Sequence, residues 1–522
     1  MKSSALKHIR TVFALFVLLL LAFIFIDFRG TLGEKAFGPI LYLQFVPSLL
    51  KFLVAGVATA TGFIVVIALT LLTGRTYCSF LCPLGILQDA ISRAGGLIKR
   101  RFRKYGYKKP YTILRYFILV LTAGILILGG VYVLTILDPY SIFGRFMTYF
   151  AKPVALLINN LIASLLGKFD IYTLYRVDIK SFELALYLVP FAFLMLIGLL
   201  SVRYGRLYCN TVCPVGTFLG LLSKVSLFRI KFDEDNCTRC GRCAMACKSS
   251  CIDFLNKNID ISRCVNCFNC IDACKDNGMS YGLVSLKRKV IDQEHTATDA
   301  SRRNFIAGSL VLLAGGSQLL RAQNTTPTPT KDSTVKEDRL YPVTPPGSIG
   351  VASFTSRCTA CSLCVSACPT NVIQPSVNEY GFAGIMQPRM DFHSGFCNYD
   401  CNRCADVCPT GAIMPLMIEA KKLTQIGKAV FIKENCVVNT EKTACGACSE
   451  HCPTKACHMV PFEGNLLIPE IRDEICIGCG ACEHACPTRP YKAIFVDGNP
   501  VHEAALKPET EKLDAVPSDF PF

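Results

Sequence analysis

Charge is scarce in this 522-residue chain: Asp, Glu, Lys and Arg together make up 18% against 51% hydrophobic residues. With a mean hydropathy of +0.39, that balance excludes both a disordered chain and an ordinary soluble enzyme. Histidine is scarce too. All seven, His8, His295, His393, His451, His458, His484 and His502, lie outside the long apolar runs, so a bis-histidine haem of the cytochrome b kind has no ligands there. No Cys-x-x-Cys-His occurs, which removes covalent c-type haem, and no glycine fingerprint for a dinucleotide is present. Cysteine is the exception to this poverty. Thirty of them fall into repeated short spacings in a large chain, which points to thiolate-bound metal rather than a disulfide scaffold.

Apolar runs long enough to span a bilayer occur at Thr11–Phe28, Phe52–Leu72, Tyr116–Leu137 and Leu184–Val202, with a shorter one at Phe305–Leu320. They predict a membrane α-helical bundle of four helices plus a fifth signal or anchor segment. Pro153–Gly167 is short and carries Asn159 and Asn160, so it is expected to lie on the membrane surface. Arg93, Lys99, Arg100, Arg101, Arg103, Lys104, Lys108 and Lys109 crowd the loop between the second and third spans, which places that loop in the cytoplasm. Formal charge is +21 before Gln323 and −5 after it. Because the basic half lies beside apolar runs, nucleic acid is not its partner. Asp27, Asp89, Asp138 and Glu183 stand near span ends, where interface residues are the ordinary expectation.

An internal repeat aligns Gly74-Arg75-Thr76-Tyr77-Cys78-x3-Cys82-Pro83-x-Gly85 with Gly205-Arg206-Leu207-Tyr208-Cys209-x3-Cys213-Pro214-x-Gly216. Two helix pairs, each ending in Cys-x3-Cys-Pro at the cytoplasmic boundary, make Cys78, Cys82, Cys209 and Cys213 candidate catalytic thiols, as metal ligands or as cycling dithiols.

Beyond the fourth span, Cys237-x2-Cys240-x2-Cys243-x3-Cys247 and Cys264-x2-Cys267-x2-Cys270-x3-Cys274 have the spacing of a two-cluster bacterial ferredoxin. Three thiolates at x2 spacing wrap one cubane and the fourth reaches the other. One cluster therefore takes Cys237, Cys240, Cys243 and Cys274, and the second takes Cys264, Cys267, Cys270 and Cys247. The proline usual after the fourth cysteine is replaced by Lys248 and Lys275, and Cys251 is an alternative ligand. Four more motifs follow: Cys358, Cys361, Cys364, Cys368; Cys397, Cys401, Cys404, Cys408; Cys436, Cys445, Cys448, Cys452; and Cys476, Cys479, Cys482, Cys486. Each fourth cysteine precedes a proline. Triplets followed by Cys-Pro favour iron–sulfur over zinc, and Cys251 and Cys457 alone stay unassigned.

Ser301-Arg302-Arg303-Asn304-Phe305-Ile306 and the apolar run behind it resemble a twin-arginine export signal in mid-chain. A domain folded around cytoplasmically inserted metal must be exported already folded, so the C-terminal half is expected outside the membrane. The predicted order is thus a membrane domain at 1–230, a cytoplasmic two-cluster ferredoxin at 231–290, a signal or anchor at 301–322, a disordered linker at 323–348 and a periplasmic four-cluster ferredoxin at 349–522. Both ferredoxin-like domains are α+β.

Residues 1–290 resemble the NapH family of membrane quinol dehydrogenase components, related to NosR and the CcoG-type polyferredoxins, and residues 301–522 resemble the NapG/MauM family of exported ferredoxins. The resemblance implies a protein of the bacterial inner membrane that passes electrons from quinol, through six [4Fe–4S] clusters and without haem, flavin or zinc, to a periplasmic reductase or cytochrome c. It also implies a nested pairing, in which Cys486 completes the first C-terminal cluster, Cys452 the second, Cys408 the third and Cys368 the fourth. The CcoG likeness carries an alternative from another class, a maturation factor that reduces or delivers metal to a partner enzyme.

Overall fold

The computed structural model describes residues 3–27, 34–55, 61–98, 105–177, 184–233, 236–283 and 335–508. The expected signal segment 301–322 lies outside them. Helix α1 (Ser3–Ile26) carries an uninterrupted apolar run and spans about 36 Å. At its start Lys7 pairs with Asp272 of the first ferredoxin module at 2.6 Å. At its far end the Phe25 carbonyl accepts the Ser366 hydroxyl of the C-terminal lobe. The two ferredoxin modules therefore pack at opposite ends of one helix.

Among the described residues, three helical segments are long and apolar enough to cross a membrane: Ala5–Ile26, Pro139–Phe169 and Tyr187–Tyr204. This departs from the sequence expectation in four places. His8 falls inside the first segment rather than before it. The run Phe52–Leu72 is divided between α3 (Phe45–Ala55) and α4 (Thr61–Thr73), counting α2 as Glu34–Tyr42. The run Tyr116–Leu137 breaks at Gly129, whose φ of +83° suits glycine, so that Thr112–Ile127 and Tyr132–Leu137 are separate helices. The segment expected on the surface, Pro153–Gly167, instead continues a long helix. Pro139–Phe146 passes into a π turn at Met147–Ala151 and then into Lys152–Leu166. The π turn stands immediately before Pro153 and accommodates its missing N–H and its ring. Asn160, taken as a sign of surface location, holds both backbone groups of Val177, at 2.8 and 2.9 Å.

Each Cys-x3-Cys-Pro arm follows directly on the end of an apolar helix, α4 in the first half and Leu184–Tyr204 in the second. In the first, Tyr77–Phe80 (α5) leads into Pro83–Ile98 (α6); in the second, Leu207–Thr211 leads into Pro214–Ser223. Each arm starts beside the first ferredoxin module, with Gly74 against Asn266 and Gly205 against Lys248. Each then turns inward, so that Tyr77 Oη accepts from the Phe45 N–H at 3.1 Å and Tyr208 Oη donates to the Leu137 carbonyl at 2.8 Å.

The first module is closed by β1 (Phe228–Phe232) paired antiparallel with Met279–Leu283, so its sheet begins ahead of the expected boundary at 231. The C-terminal lobe is built on antiparallel ladders joining Thr424–Phe431 to Ile494–Ala504, Cys457–Pro461 to Leu467–Ile471 and Ile373–Pro375 to Pro388–Met390. Its two apolar clusters contain six and eight cysteines, side chains that bound metal would tie together. The expected disordered linker is ordered from Val335 onward. Val343, Thr344 and Ser348 are buried, and Asn435 bonds both backbone groups of Val335, at 2.8 and 2.7 Å. Threonine and proline gave the segment the composition of a spacer, while its prolines and Val343 fill the surface of the lobe.

Candidate redox centres

In the first module the structure gathers the cysteines as the spacing predicts. Cys237, Cys240, Cys243 and Cys274 line one cavity, and Cys247, Cys264, Cys267 and Cys270 line another together with Cys251. Cys251 Sγ stands 3.5 Å from Cys247 Sγ. Lys248, which replaces the motif's proline, is buried and reaches Asp89 of α6 at 3.1 Å.

In the C-terminal lobe the nested pairing is overturned. Cys408 lies with Cys358, Cys361 and Cys364, and Cys368 lies with Cys397, Cys401 and Cys404. Cys452 joins Cys476, Cys479 and Cys482, and Cys486 packs in an apolar cluster that holds Cys436, Cys445 and Cys448 as well as Cys452, Cys476 and Cys482. The first two motifs thus exchange their last cysteine, as in the first module, and the third lends its last cysteine to the fourth. Cys457, unassigned by spacing, donates its N–H to Cys452 Sγ at 3.4 Å. Burial pushes the free thiols up, Cys243 to about 11 and Cys361 and Cys479 to about 12, so metal binding there releases protons.

Among the described residues, the only three ligating groups whose atoms lie within 4.8 Å of one another are Glu337, His393 and Glu483. Arg339 already contacts both carboxylates, at 2.9 and 2.5 Å, which makes this an ion-pair cluster. The thiol sets are wider. Two sulfurs on a single ion with bonds of about 2.3 Å cannot be more than about 4.6 Å apart, so the cysteine sets fit a multi-atom core better than one zinc.

The four repeat cysteines are buried to 5% exposure or less and share one packed cluster with Cys267 of the first module. Around them lies a buried charge network that sequence reasoning missed. Asp89, expected at an interface, is 6% exposed and pairs with Arg10 at 3.1 Å, Arg206 at 2.9 Å and Lys248 at 3.1 Å. Gly85 and Gly216 are needed for close approach, because a Cβ at either would stand 2.4 or 2.2 Å from the carbonyl oxygen of Cys78 or Cys209. The signal for the arginines was present in the repeat itself, as Gly74-Arg75 and Gly205-Arg206.

On the other side of the bundle, the first C-terminal set is pressed against Pro139–Phe146. A Cβ on Gly144 would stand 2.2 Å from the Cys361 carbonyl, Thr135 Oγ1 donates to the Cys358 carbonyl at 3.4 Å, and Thr148 Oγ1 donates to that of Ser362 at 3.2 Å.

This is the architecture of a polyferredoxin on a helical bundle, and comparison with known proteins agrees. Family profiles described as "4Fe-4S binding domain" match residues 55–105 and 186–233, and also 230–253; one described as "4Fe-4S dicluster domain" matches 357–412 and 443–490. The ferredoxin-type protein NapH of Escherichia coli is 28% identical over 192 residues, 36% of this chain and 52% of its own. The methylamine utilization ferredoxin-type protein MauN of Methylorubrum extorquens is 28% identical over 194 residues, 37% and 54%, and the putative electron transport protein YccM of E. coli is 24% identical over 185 residues, 35% and 44%. The chain spans about half the length of these curated relatives. No solved structure matches it. The chain carries several ferredoxin-type 4Fe–4S domains and is a distant relative of the NapH-like polyferredoxins.

Proposed function

We propose that this protein is an inner-membrane electron carrier that takes electrons from quinol and delivers them, through the C-terminal lobe on the periplasmic side, to a reductase or cytochrome c. The observation that carries the reading is the attachment of two cysteine-rich modules to opposite ends of α1. The clusters supply one-electron chemistry when bound. The chain's own residues hold, orient and insulate them. Cys237, Cys240, Cys243 and Cys274 would hold one cluster, and Cys264, Cys267, Cys270 and Cys247 the second. In the lobe the four sets are Cys358, Cys361, Cys364 and Cys408; Cys397, Cys401, Cys404 and Cys368; Cys436, Cys445, Cys448 and Cys486; and Cys476, Cys479, Cys482 and Cys452.

An apolar crevice between Leu84, Leu87, Ile142, Phe146 and Phe193 has Arg145 as its single charged lining residue. Arg145 is held there by the Ser141 and Thr135 carbonyls, next to the helix on which the Cys361 loop rests. The test is addition of menaquinol or ubiquinol to anaerobically purified full-length protein in lipid nanodiscs. Bleaching of the cluster absorbance is expected. Clusters that stay oxidised with quinol but reduce with dithionite reject quinol as the donor.

A further inference from the structure

We propose that Cys78, Cys82, Cys209 and Cys213 hold a further iron–sulfur centre inside the bundle, clasped by Arg75 and Arg206, and that it relays electrons between the two ferredoxin modules. The proposal rests on reading those modules as electron carriers, and it does not depend on quinol being the donor.

The first argument is charge. Arg10, Arg75, Arg206 and Lys248 are 2, 0, 1 and 5% exposed, and among the described residues the carboxylate paired with three of them, Arg10, Arg206 and Lys248, is Asp89. Arg75 lies on neutral groups only: Asn210 Oδ1 at 3.0 Å, the Ser262 carbonyl at 2.8 Å and the Cys209 carbonyl at 3.3 Å. Its Nη2 points to Cys78 Sγ at 3.8 Å. Buried cations without a counter-charge are strongly destabilising. Four thiolates around an iron–sulfur core carry net negative charge where these cations need it, and four neutral thiols or two disulfides do not. The second argument is unsatisfied polarity. Gln88 accepts from the Cys209 thiol through Oε1 at 3.1 Å, while its buried Nε2 and Arg75 Nε have no hydrogen-bond partner among the described residues. Both are donors of the kind that bind cluster sulfur.

The third argument is position, because the cysteine arms are tied to the first module by one hydrogen bond and to the C-terminal lobe by two through a single helical turn. Ser79, next to Cys78, donates to the carbonyl of Val265, next to Cys264, at 2.8 Å. Tyr208, next to Cys209, donates to the Leu137 carbonyl at 2.8 Å, and Thr135 in the same helical turn donates to the Cys358 carbonyl at 3.4 Å. In each passage a cluster of one module is oxidised as the centre is reduced, and the centre is reoxidised as a cluster of the other module is reduced. One electron moves, no bond is made or broken, and no proton is required.

The test uses anaerobically purified full-length protein and its Cys82→Ser/Cys213→Ser variant. Iron and acid-labile sulfide per chain and low-temperature electron paramagnetic resonance are measured after dithionite reduction. Loss of roughly two to four iron atoms per chain and of one signal, with the ferredoxin signals retained, is expected. Unchanged iron and spectra, or zinc or a disulfide found on these cysteines in the parent protein, overturns the proposal. Should the double variant not accumulate, Arg75→Gln keeps all four thiols and removes one cation. One signal is then expected to titrate at a lower potential, and a set of potentials in which none moves rejects the clasp. A wild-type protein that ignores quinol yet passes these tests discards the donor and keeps the centre.

Discussion

Arg206 Nη1 donates to the carbonyl oxygen of Cys78 at 2.5 Å, and its counterpart Arg75 donates to the carbonyl oxygen of Cys209 at 3.3 Å. Each half of the repeat therefore fastens the cysteine arm of the other, and neither half forms its site alone. The exchange explains why the sequence keeps Gly-Arg ahead of each Cys-x3-Cys-Pro and a glycine two residues after its proline. The arginine crosses over, and the glycine lets the helix pass against the carbonyl that the arginine holds.

Asp89 is the counter-charge that makes this clasp affordable. Asp89→Asn keeps the shape but leaves Arg10, Arg206 and Lys248 without a carboxylate, and breaking one buried pair costs about 3–5 kcal/mol. A marked fall in thermal midpoint of the detergent-solubilised protein is expected. An unchanged midpoint would mean that another anion occupies the network.

Gly144 sets the distance between the bundle and the first C-terminal set. Gly144→Val drives a side chain into the Cys361 carbonyl and the Phe25 ring, and the lobe is expected to lift from Pro139–Phe146. Hydrogen exchange at Leu363–Ala367 should rise several-fold, while exchange in Ile494–Ala504, remote from the contact, stays as it was. Equal protection at Leu363–Ala367 in both proteins would contradict the contact.

The exchange of last cysteines between neighbouring motifs predicts which cluster each substitution damages. Cys408→Ser should alter the cluster held by Cys358, Cys361 and Cys364, and Cys486→Ser that held by Cys436, Cys445 and Cys448. Under nested pairing Cys486→Ser would instead disturb the cluster against the bundle. Assigning the spectra in a variant lacking Cys361 separates the two.

His502 gives the lobe a pH dependence. Its Nε2 lies 2.8 Å from Thr344 Oγ1, which accepts from Ser348 Oγ at 2.8 Å, and Nδ1 is buried without a partner. Burial lowers its pKa from 6.5 to about 4. The folded state binds the proton less readily than the unfolded chain, so the contribution is complete above about pH 6.5 and is lost as pH falls toward 4, on the order of 1–3 kcal/mol. The thermal midpoint of the cluster-loaded protein should fall over that interval, and His502→Gln should flatten the fall.

Much of this was legible in the chain because cysteine spacing is a local signal: three thiols at x2 must wrap one core whatever surrounds them. The duplicated arms were equally plain. What was not legible depends on distance across the fold. Arg10, Arg206 and Lys248 stand far apart in sequence with no sign of a shared partner, and only the folded bundle shows them converging on Asp89. Pro153–Gly167 reads as a separate short segment because the π turn that joins it to Pro139–Phe146 is a property of the backbone around it. The nested pairing came from resemblance, whereas the geometry follows chain neighbours, since Cys368 and Cys408 each end a short helix lying against the adjacent motif.

Cys251 is the remaining test of how the first module binds metal. It is 1% exposed, 3.5 Å from Cys247 Sγ, and lines the cavity with Cys264, Cys267 and Cys270. A thiol so placed can take a vacated corner with little backbone movement, because Cys247 and Cys251 flank one tight turn closed by the Ser250 N–H to Cys247 carbonyl bond at 3.0 Å. Cys247→Ser should therefore retain its cluster, with a shifted potential from the changed hydrogen bonding at sulfur. Cys251→Ser alone should leave iron content unchanged, and the double variant should lose about four iron atoms per chain, the content of one cubane. If Cys247→Ser already loses that iron, Cys251 is a packing residue and Cys247 the sole fourth ligand.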